Sequence, residues 1–331
     1  MNAEQNYLYN WLKVDCNLSE FRLESMPYDA SFRRYYRLSV DSLSYVVMDA
    51  SLEKSCLPAF IAISDALRSL GILAPEVIHK NLQLGYLLIS DFGDTQLLGA
   101  LNTNNVENLY SNALSSLDVL QSCSKVDGYN IPLFTKSFMY NELKLFKEWF
   151  LQKYLGLNLS IKYEKLLDNT FIGIVEKVND QPKVFMHRDY HSANLMILPQ
   201  NKIGVLDFQD AFIGPITYDL VSLLRDCYIS WPRNLIVDLV LNYKSNLNLN
   251  ISDDLFLNWF DCMSLQRHMK TLLTFSRKNI KDSNPNYLKH IPRTLNYISD
   301  VITRYKEFEE FKNFFNNDLY PSYKKVELCE E

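Results

Sequence analysis

The 331-residue chain is long enough for two domains or for one enzyme fold with two lobes, and its 47% hydrophobic and 22% charged residues are ordinary globular proportions. The net charge of −5 disfavours nonspecific binding to nucleic acid or to an anionic membrane, because both need a basic surface. No apolar run is long enough to span a membrane, and the polar start and scattered cysteines predict a cytoplasmic protein with reduced thiols.

The first 90 residues are predicted to be rich in strands. Residues 3–13 place Tyr7, Trp11 and Leu12 on one face, which predicts an opening amphipathic helix. β-Branched and aromatic residues then predict a hairpin, a helix with apolar residues at helical spacing follows, and two further strands complete this part. The predicted ranges are 32–40 and 43–48 for the hairpin, 58–70 for the helix, and 77–78 and 84–90 for the strands.

After residue 91 the pattern becomes helical, apart from one polar hairpin. Two short apolar runs joined by a polar turn, 195–198 and 203–206, predict this hairpin. The predicted helical stretches are 95–123, 136–156, 160–177 and 218 to the end, with breaks at Trp231-Pro232, near Pro285 and at Pro321. The sequence therefore predicts an α+β fold with a small β-rich lobe over residues 1–90, a connecting segment over 91–96 and a larger helical lobe over 97–331.

The most informative residues lie in and after the stretch 186–196. Asp189 and Asn194 form the pattern H-x-D-x-x-x-x-N that begins at His187, and Asp207 follows Asn194 by 13 positions, at the end of the predicted hairpin. Phosphoryl transfer from ATP needs a carboxylate to orient the attacking hydroxyl and oxygen ligands to hold Mg²⁺ on the phosphates. The pattern supplies both, and the flanking apolar runs predict strands that fix these groups in position.

These residues resemble the catalytic loop of protein-kinase-like phosphotransferases, position for position. The resemblance implies a bilobal protein-kinase-like fold with ATP and Mg²⁺ as cofactors. It makes Asp189 the catalytic base and Asn194 and Asp207 the metal ligands, while His187 shapes the loop.

Residues 213–228 extend the resemblance to the aminoglycoside phosphotransferase superfamily. Within it the chain is most similar to bacterial anomeric sugar kinases, which phosphorylate N-acetylmuramate and N-acetylglucosamine at the C1 hydroxyl for cell-wall recycling. The resemblance implies that Asp219 accepts hydrogen bonds from the backbone of the catalytic loop. Four other segments carry the same likeness: 30–37, 46–50, 85–94 and 266–270.

The nucleotide site departs from the protein-kinase pattern. Protein kinases place a lysine on their third strand, whereas the comparable strand here, residues 45–49, ends in aspartate. Arg33 and Arg34 are equal alternatives for the missing cation. We also expect nucleotide contacts from Ser31 and Phe32, which precede these arginines, and from Ser90 and Asp91, where the chain crosses between the lobes.

The acceptor is predicted to be a small sugar held by the larger lobe. The expected interactions are stacking on Trp231 or Tyr228, a contact from Asp226, and a bidentate contact from Arg225 or Arg267 to a carboxylate. The sequence indicates no obligate protein partner and no binding of nucleic acid or membrane. Two alternatives stay open: an aminoglycoside or amino-alcohol kinase, and a degenerate kinase fold that binds nucleotide without catalysis.

Overall fold

The computed structural model describes residues 3–26 and 33–330. The β-rich part contains two helices and five strands: α1 (Ala3–Val14), β1 (Arg22–Ser25), β2 (Arg34–Val40), β3 (Leu43–Asp49), α2 (Leu57–Ser69), β4 (Val77–Asn81) and β5 (Tyr86–Ser90). The strands form one antiparallel sheet in the order β1-β2-β3-β5-β4. The predicted hairpin is confirmed as β2 and β3, whereas the edge strand β1 was missed because its residues are mostly exposed and show no apolar alternation.

Both faces of this sheet are covered, as the alternation of its central strands requires. Val47 of β3 and Leu88 of β5 pack with Trp11 of α1 in a small core on one face. Met48 and Leu87, their neighbours in the chain, point to the other face and join the large core that extends into the helical part. The sheet therefore has one face toward α1 and the other toward α2 and the helical part.

The remaining chain is mostly helical and carries four short strands. Its elements are α3 (Leu97–Ala100), α4 (Val106–Gln121), α5 (Lys136–Phe146), α6 (Ile161–Asn179), β6 (Lys183–Met186), β7 (Leu195–Leu198), β8 (Lys202–Val205), β9 (Phe212–Pro215), α7 (Tyr218–Leu224), α8 (Arg233–Asn246), α9 (Asp253–Asp282), α10 (Ile291–Arg304), α11 (Glu309–Phe314) and α12 (Tyr320–Glu330). Strands β7 and β8 form the predicted hairpin, and β6 pairs with β9. None of the described helices combines the length and the apolar character that crossing a bilayer would need.

The predicted helix break at Pro321 is wrong. A π-helical turn, Phe315–Leu319, leads directly into α12, and Pro321 lies in the first turn of that helix. Proline lacks a backbone N–H donor, but the first turn of a helix tolerates this, so the helical path continues from the π-helical turn into α12.

The segment between β5 and α3 packs closely on the β7–β8 hairpin. A Cβ atom on Gly204 would lie 2.7 Å from the ring of Phe92, so only glycine allows this approach. Ile197 N donates to Thr95 O at 2.8 Å, and the Gln96 side chain donates to Ala193 O at 3.0 Å. The connecting segment is therefore held against the hairpin that carries the predicted catalytic residues.

Candidate active site

The predicted catalytic residues lie on the loop between β6 and β7 and at the end of β8. His187 links these two segments, because its Nε2 donates to Leu206 O at 2.9 Å while its Nδ1 accepts the backbone N–H of Asp189 at 3.3 Å. These bonds require the neutral ring, and burial lowers the pKa of His187 to about 4. His187 thus fixes the segment of Asp189 relative to that of Asp207.

Asp219, in the first turn of α7, anchors the start of the loop. Its carboxylate accepts the backbone N–H groups of His187 at 2.7 Å and Arg188 at 2.9 Å, which is the hydrogen bonding that the resemblance implied. Arg188 has a φ of +79°, in the left-handed region, so the loop needs such support to hold this shape. Burial raises the pKa of Asp219 to about 7, although the two N–H donors act in the opposite direction.

Asp226 supports the other part of the loop, and its expected contact with the substrate is not supported. One carboxylate oxygen accepts the backbone N–H of Ser192 at 2.9 Å together with its hydroxyl, and the other accepts Tyr228 N at 2.8 Å. The residue is only 1% exposed. Since both oxygens are engaged within the protein, Asp226 acts as an anchor for the loop.

Asp189 faces a cleft between the sheet and the helical part. Its side chain keeps 33% exposure, and Lys270 Nζ from α9 lies 3.7 Å from its Oδ1. Burial on its own raises the pKa of Asp189, but nearby cations, Lys270 first among them, outweigh it and lower the pKa well below the ordinary value. The carboxylate is therefore ionised at neutral pH and can accept a hydrogen bond from a hydroxyl in the cleft.

Asn194 and Asp207 meet beside Asp189. The Asn194 amide donates to Asp189 O at 3.1 Å and to Asp207 Oδ2 at 3.4 Å, which leaves its carbonyl oxygen to serve as a ligand. Asp207 has a φ of +63°, and Gln209 donates to its Oδ1 at 2.7 Å. Amide and carboxylate oxygens are the ligands that Mg²⁺ prefers. The described residues contain no group of three or more His, Cys, Asp or Glu that could hold a metal ion. The Asn194–Asp207 pair suits Mg²⁺, which is commonly bound by one or two protein oxygens together with substrate phosphates.

The structure places Arg33 next to the predicted metal ligands. Its Nη2 lies 3.6 Å from Asp207 Oδ1, and its Nε lies 3.6 Å from Glu53 Oε2. The Nε and Nη1 atoms are buried, and none of the described residues is a hydrogen-bond partner for them. Arg34, the equal alternative, is the first residue of β2 and pairs in register with Asp49. The predicted contacts from Ser31 and Phe32 lie outside the described residues.

The cleft has a volume of about 620 Å³, which suits a small-molecule ligand. Its lining combines apolar side chains from both parts of the chain with the polar catalytic groups; the apolar ones include Val46, Ile89, Met196 and Leu206. Ser90 and Asp91 line it as predicted, but their side chains are engaged elsewhere. Ser90 Oγ accepts Glu76 N at 2.9 Å, and the Asp91 carboxylate accepts a hydrogen bond from Arg37 at 2.8 Å. Contacts from these two residues to a ligand would therefore use the backbone.

Arg225 and Trp231 are not placed as acceptor ligands. Arg225 is 2% exposed, and its Nη2 lies 2.7 Å from Asp300 and 3.4 Å from Asp261. The expected bidentate contact from Arg225 to a substrate is not supported, because the buried Asp261 and the partly exposed Asp300 already neutralise it. Trp231 Nε1 donates to the Tyr110 hydroxyl at 3.0 Å, so this polar atom is also used within the protein.

Arg267 lies beneath the catalytic loop rather than in the open cleft. It is 3% exposed, and its Nε and Nη1 have no hydrogen-bond partner among residues 3–26 and 33–330. Its charge is among those that lower the pKa of Asp189. The structure thus places Arg267 where it acts on the catalytic carboxylate, while the expected direct contact with an acceptor is not supported by its burial.

The cleft lining includes several residues that the sequence did not predict as site residues, among them His191, Lys270 and Thr274. His191 occupies a variable position of the catalytic motif, and burial lowers the pKa of its ring. The sequence did contain a signal that could have pointed to Lys270 as a site residue, because it is a cation in a helix whose neighbouring residues are almost all buried. It also ends the segment 266–270 that carried the resemblance.

Residues 23–248 match the phosphotransferase enzyme family, and the chain belongs to this family. Choline kinase LicA from Streptococcus pneumoniae shares the fold with a TM-score of 0.63 and 13% identity, over 89% of this chain and 99% of its own. An ADP-bound aminoglycoside phosphotransferase, APH(2'')-Ib, gives a TM-score of 0.61 with 14% identity, over 90% and 98% of the two chains. The protein-kinase-like fold and an ATP-dependent phosphotransferase are thereby confirmed.

The curated relatives of this chain are named as sugar kinases, which is a narrower group than the phosphotransferase family as a whole. The N-acetylmuramate/N-acetylglucosamine kinase of Neisseria meningitidis serogroup B is 36% identical over 91% of this chain and 91% of its own. The kinase of the same name from Pseudomonas aeruginosa is 35% identical over 85% of this chain and 84% of its own. This finding agrees with the sugar-kinase resemblance that the sequence carried.

Proposed function

We propose that this chain transfers the γ-phosphoryl group of ATP to the C1 hydroxyl of N-acetylmuramate and N-acetylglucosamine. The observation that carries the chemistry is the meeting of Asp189, Asn194 and Asp207 at one end of a cleft with apolar walls. The choice of sugar rests on the names of relatives that cover most of the chain.

Asp189 acts as the base in this proposal. Its ionised carboxylate accepts a hydrogen bond from the sugar hydroxyl and aligns that oxygen with the γ-phosphorus. As the new O–P bond forms, the bond from phosphorus to the ADP oxygen breaks, and the hydroxyl proton passes to Asp189. Because the pKa of Asp189 is lowered, orientation is its main contribution and the proton moves late.

Asn194 and Asp207 are the proposed ligands of Mg²⁺. When bound, the ion neutralises charge on the β- and γ-phosphates. Asn194 holds its side chain in place by donating to Asp189 O, so the ligand pair and the base share one rigid arrangement.

Arg33 replaces the missing third-strand lysine in this proposal. The Arg33–Glu53 contact resembles in its charges the lysine–glutamate pair of protein kinases, and Arg33 also lies close to Asp207. Its buried Nε and Nη1 atoms have no hydrogen-bond partner within the part of the chain that the structure describes, and a buried donor without a partner is costly. Phosphate oxygens would satisfy them.

We propose that residues 91–96 form the hinge between lobes at 1–90 and 97–331. The Asp91 carboxylate binds Arg37 of β2, while Phe92 packs on Gly204 of β8, so this segment contacts both parts. The backbone here borders the apolar walls of the cleft, where a planar adenine ring fits.

The acceptor sugar is proposed to lie on the side of Asp189 that His191, Tyr228 and Thr274 line. The ring of Tyr228 stands edge-on to that of His191, with 5.3 Å between ring centres, which offers an apolar surface to the face of a sugar. Of the two aromatic residues that the sequence suggested for stacking, Trp231 and Tyr228, we assign this role to Tyr228, which lines the cleft.

The test is a coupled assay of ADP release with Mg²⁺ and ATP. The acceptors are N-acetylmuramate, N-acetylglucosamine, their 1-O-methyl glycosides and kanamycin. We expect turnover of the two free sugars and none of the glycosides, whose C1 oxygen carries no proton. Turnover of kanamycin alone would replace the proposed acceptor, and ATP binding without turnover of any acceptor would indicate a nucleotide-binding scaffold.

A further inference from the structure

Lys270 is a cation of the cleft that the roles above do not use. It lies in the middle of α9, where the nine preceding residues are all buried, and its own side chain is 19% exposed. Its Nζ reaches the cleft 3.7 Å from Asp189 Oδ1, which is longer than a hydrogen bond. The ammonium group therefore contacts the base without using its donors on it.

The catalytic loop does not itself direct a cation toward Asp189. Arg188, next to it in the chain, turns toward Glu142 at 3.1 Å and lies over the ring of Phe212. Burial lowers the pKa of the His191 ring and so favours its neutral form. Arg267 also lowers the pKa of Asp189, but it is buried and does not line the cleft. The cation that reaches the base from the helical part within the cleft is therefore Lys270.

The position of α9 relative to the loop is fixed by hydrogen bonds. Glu142 of α5 accepts Arg188 with one oxygen and the side chain of Gln266 with the other, at 2.8 Å. Gln266 lies one helical turn before Lys270, so the same carboxylate ties the loop and the helix together. Such rigid placement is what a group that acts on a transition state requires.

We propose that Lys270 is a further catalytic residue, whose ammonium group contacts the phosphoryl group in transfer beside Asp189. Negative charge is spread over the equatorial oxygens of that group in the transition state. Arg33 approaches from the β-rich part and Lys270 from α9, so the transferred group lies between two cations. No bond to lysine forms: the phosphoryl group passes from ATP to the sugar oxygen, ADP leaves, and Asp189 receives the proton. The inference rests on the proposed function.

The test compares three variants by steady-state kinetics with ATP and both sugars. Lys270→Met removes the charge and keeps the length of the side chain, Lys270→Arg keeps the charge, and Lys281→Met removes an exposed lysine from the last turn of the same helix as a control. We expect Lys270→Met to lower kcat by roughly 10²-fold to 10³-fold. We expect Lys270→Arg to recover roughly tenfold of that loss, and Lys281→Met to resemble the wild type.

Two further readouts separate catalysis from folding and from substrate binding. ADP affinity and the thermal midpoint of Lys270→Met should stay close to the wild-type values, because ADP lacks the phosphoryl group that Lys270 is proposed to contact and the lysine side chain is partly exposed. A kcat close to that of the wild type would overturn the inference. So would a rise confined to the KM for N-acetylmuramate, the acid of the two sugars, since Lys270 would then bind a carboxylate. Wild-type protein without sugar turnover would instead refute the proposed function.

Discussion

Replacing Asp219 by asparagine tests whether the shape of the catalytic loop controls turnover. The carboxylate accepts two backbone N–H groups, at 2.7 and 2.9 Å, and is fully buried. In Asp219→Asn one acceptor oxygen remains, and the new NH₂ group faces an N–H donor that loses its partner. An unsatisfied buried donor costs about 1–3 kcal/mol, and the loss of charge adds to that cost. A net loss of about 2–3 kcal/mol in the transition state corresponds to a roughly 30-fold to 150-fold lower kcat.

Stability should change much less than activity in Asp219→Asn. Burial raises the pKa of Asp219 to about 7, so the ionised carboxylate carries a desolvation cost that asparagine does not. We therefore expect a thermal midpoint close to that of the wild type and KM values within roughly threefold, with the loss in kcat. Asp238→Asn, at an exposed position of α8, is the matched control. A kcat of Asp219→Asn equal to that of the control would refute the anchoring role.

Three more predictions concern the base, the phosphate site and a buried histidine. Asp189→Asn should lower kcat by roughly 10²-fold to 10⁴-fold in the ADP-release assay while calorimetry still detects ATP binding. Arg33→Met should weaken ATP binding by roughly tenfold to a hundredfold, whereas Arg34→Met should leave it within twofold; equal losses would reopen the choice between them. Burial lowers the pKa of His268 from its ordinary 6.5 to about 3. Between these two values the unfolded chain binds a proton at this histidine and the folded chain does not, so the free energy of unfolding decreases as the pH falls from above 6.5 toward 3. Urea unfolding should show a loss from about pH 7 to pH 5 that is about 2 kcal/mol larger for wild type than for His268→Gln.

The sequence was sufficient where function depends on residues close together in the chain. Asp189 and Asn194 share one loop, and a short hairpin brings Asp207 to them, so spacing and strand pattern were enough to predict their meeting. The central strands were also predictable, because residues such as Val47 and Met48 alternate between two buried faces. Local patterns of this kind need no knowledge of distant contacts.

The acceptor side could not be predicted in the same way. Arg225, Arg267 and Lys270 are all cations in apolar helical sequence, and nothing local distinguishes them. Packing decides their roles: Arg225 pairs with the buried Asp261 and the partly exposed Asp300, whereas Lys270 reaches the cleft. These contacts join residues that are far apart in the chain.

The sequence could not decide between Arg33 and Arg34 either, because their roles also depend on contacts with residues far away in the chain. Strand β2 begins at Arg34, so Arg33 lies outside the strand and turns toward Glu53 and Asp207. The sequence predicted a strand that contains both arginines, and in a strand their side chains point to opposite faces. A shift of one position would exchange these faces, so the strand pattern could not decide which arginine faces the phosphates.

The position of the phosphate group on the product shows whether this chain phosphorylates the C1 hydroxyl of the sugar. Wild-type protein is incubated with ATP, Mg²⁺ and N-acetylglucosamine, and the product is examined by ³¹P–¹H correlation NMR. We expect the phosphorus to couple to the proton on C1, because Asp189 is assigned to orient that hydroxyl. Phosphorus coupled to the C6 protons, or to any ring proton other than that of C1, would contradict an anomeric kinase while leaving phosphoryl transfer itself intact.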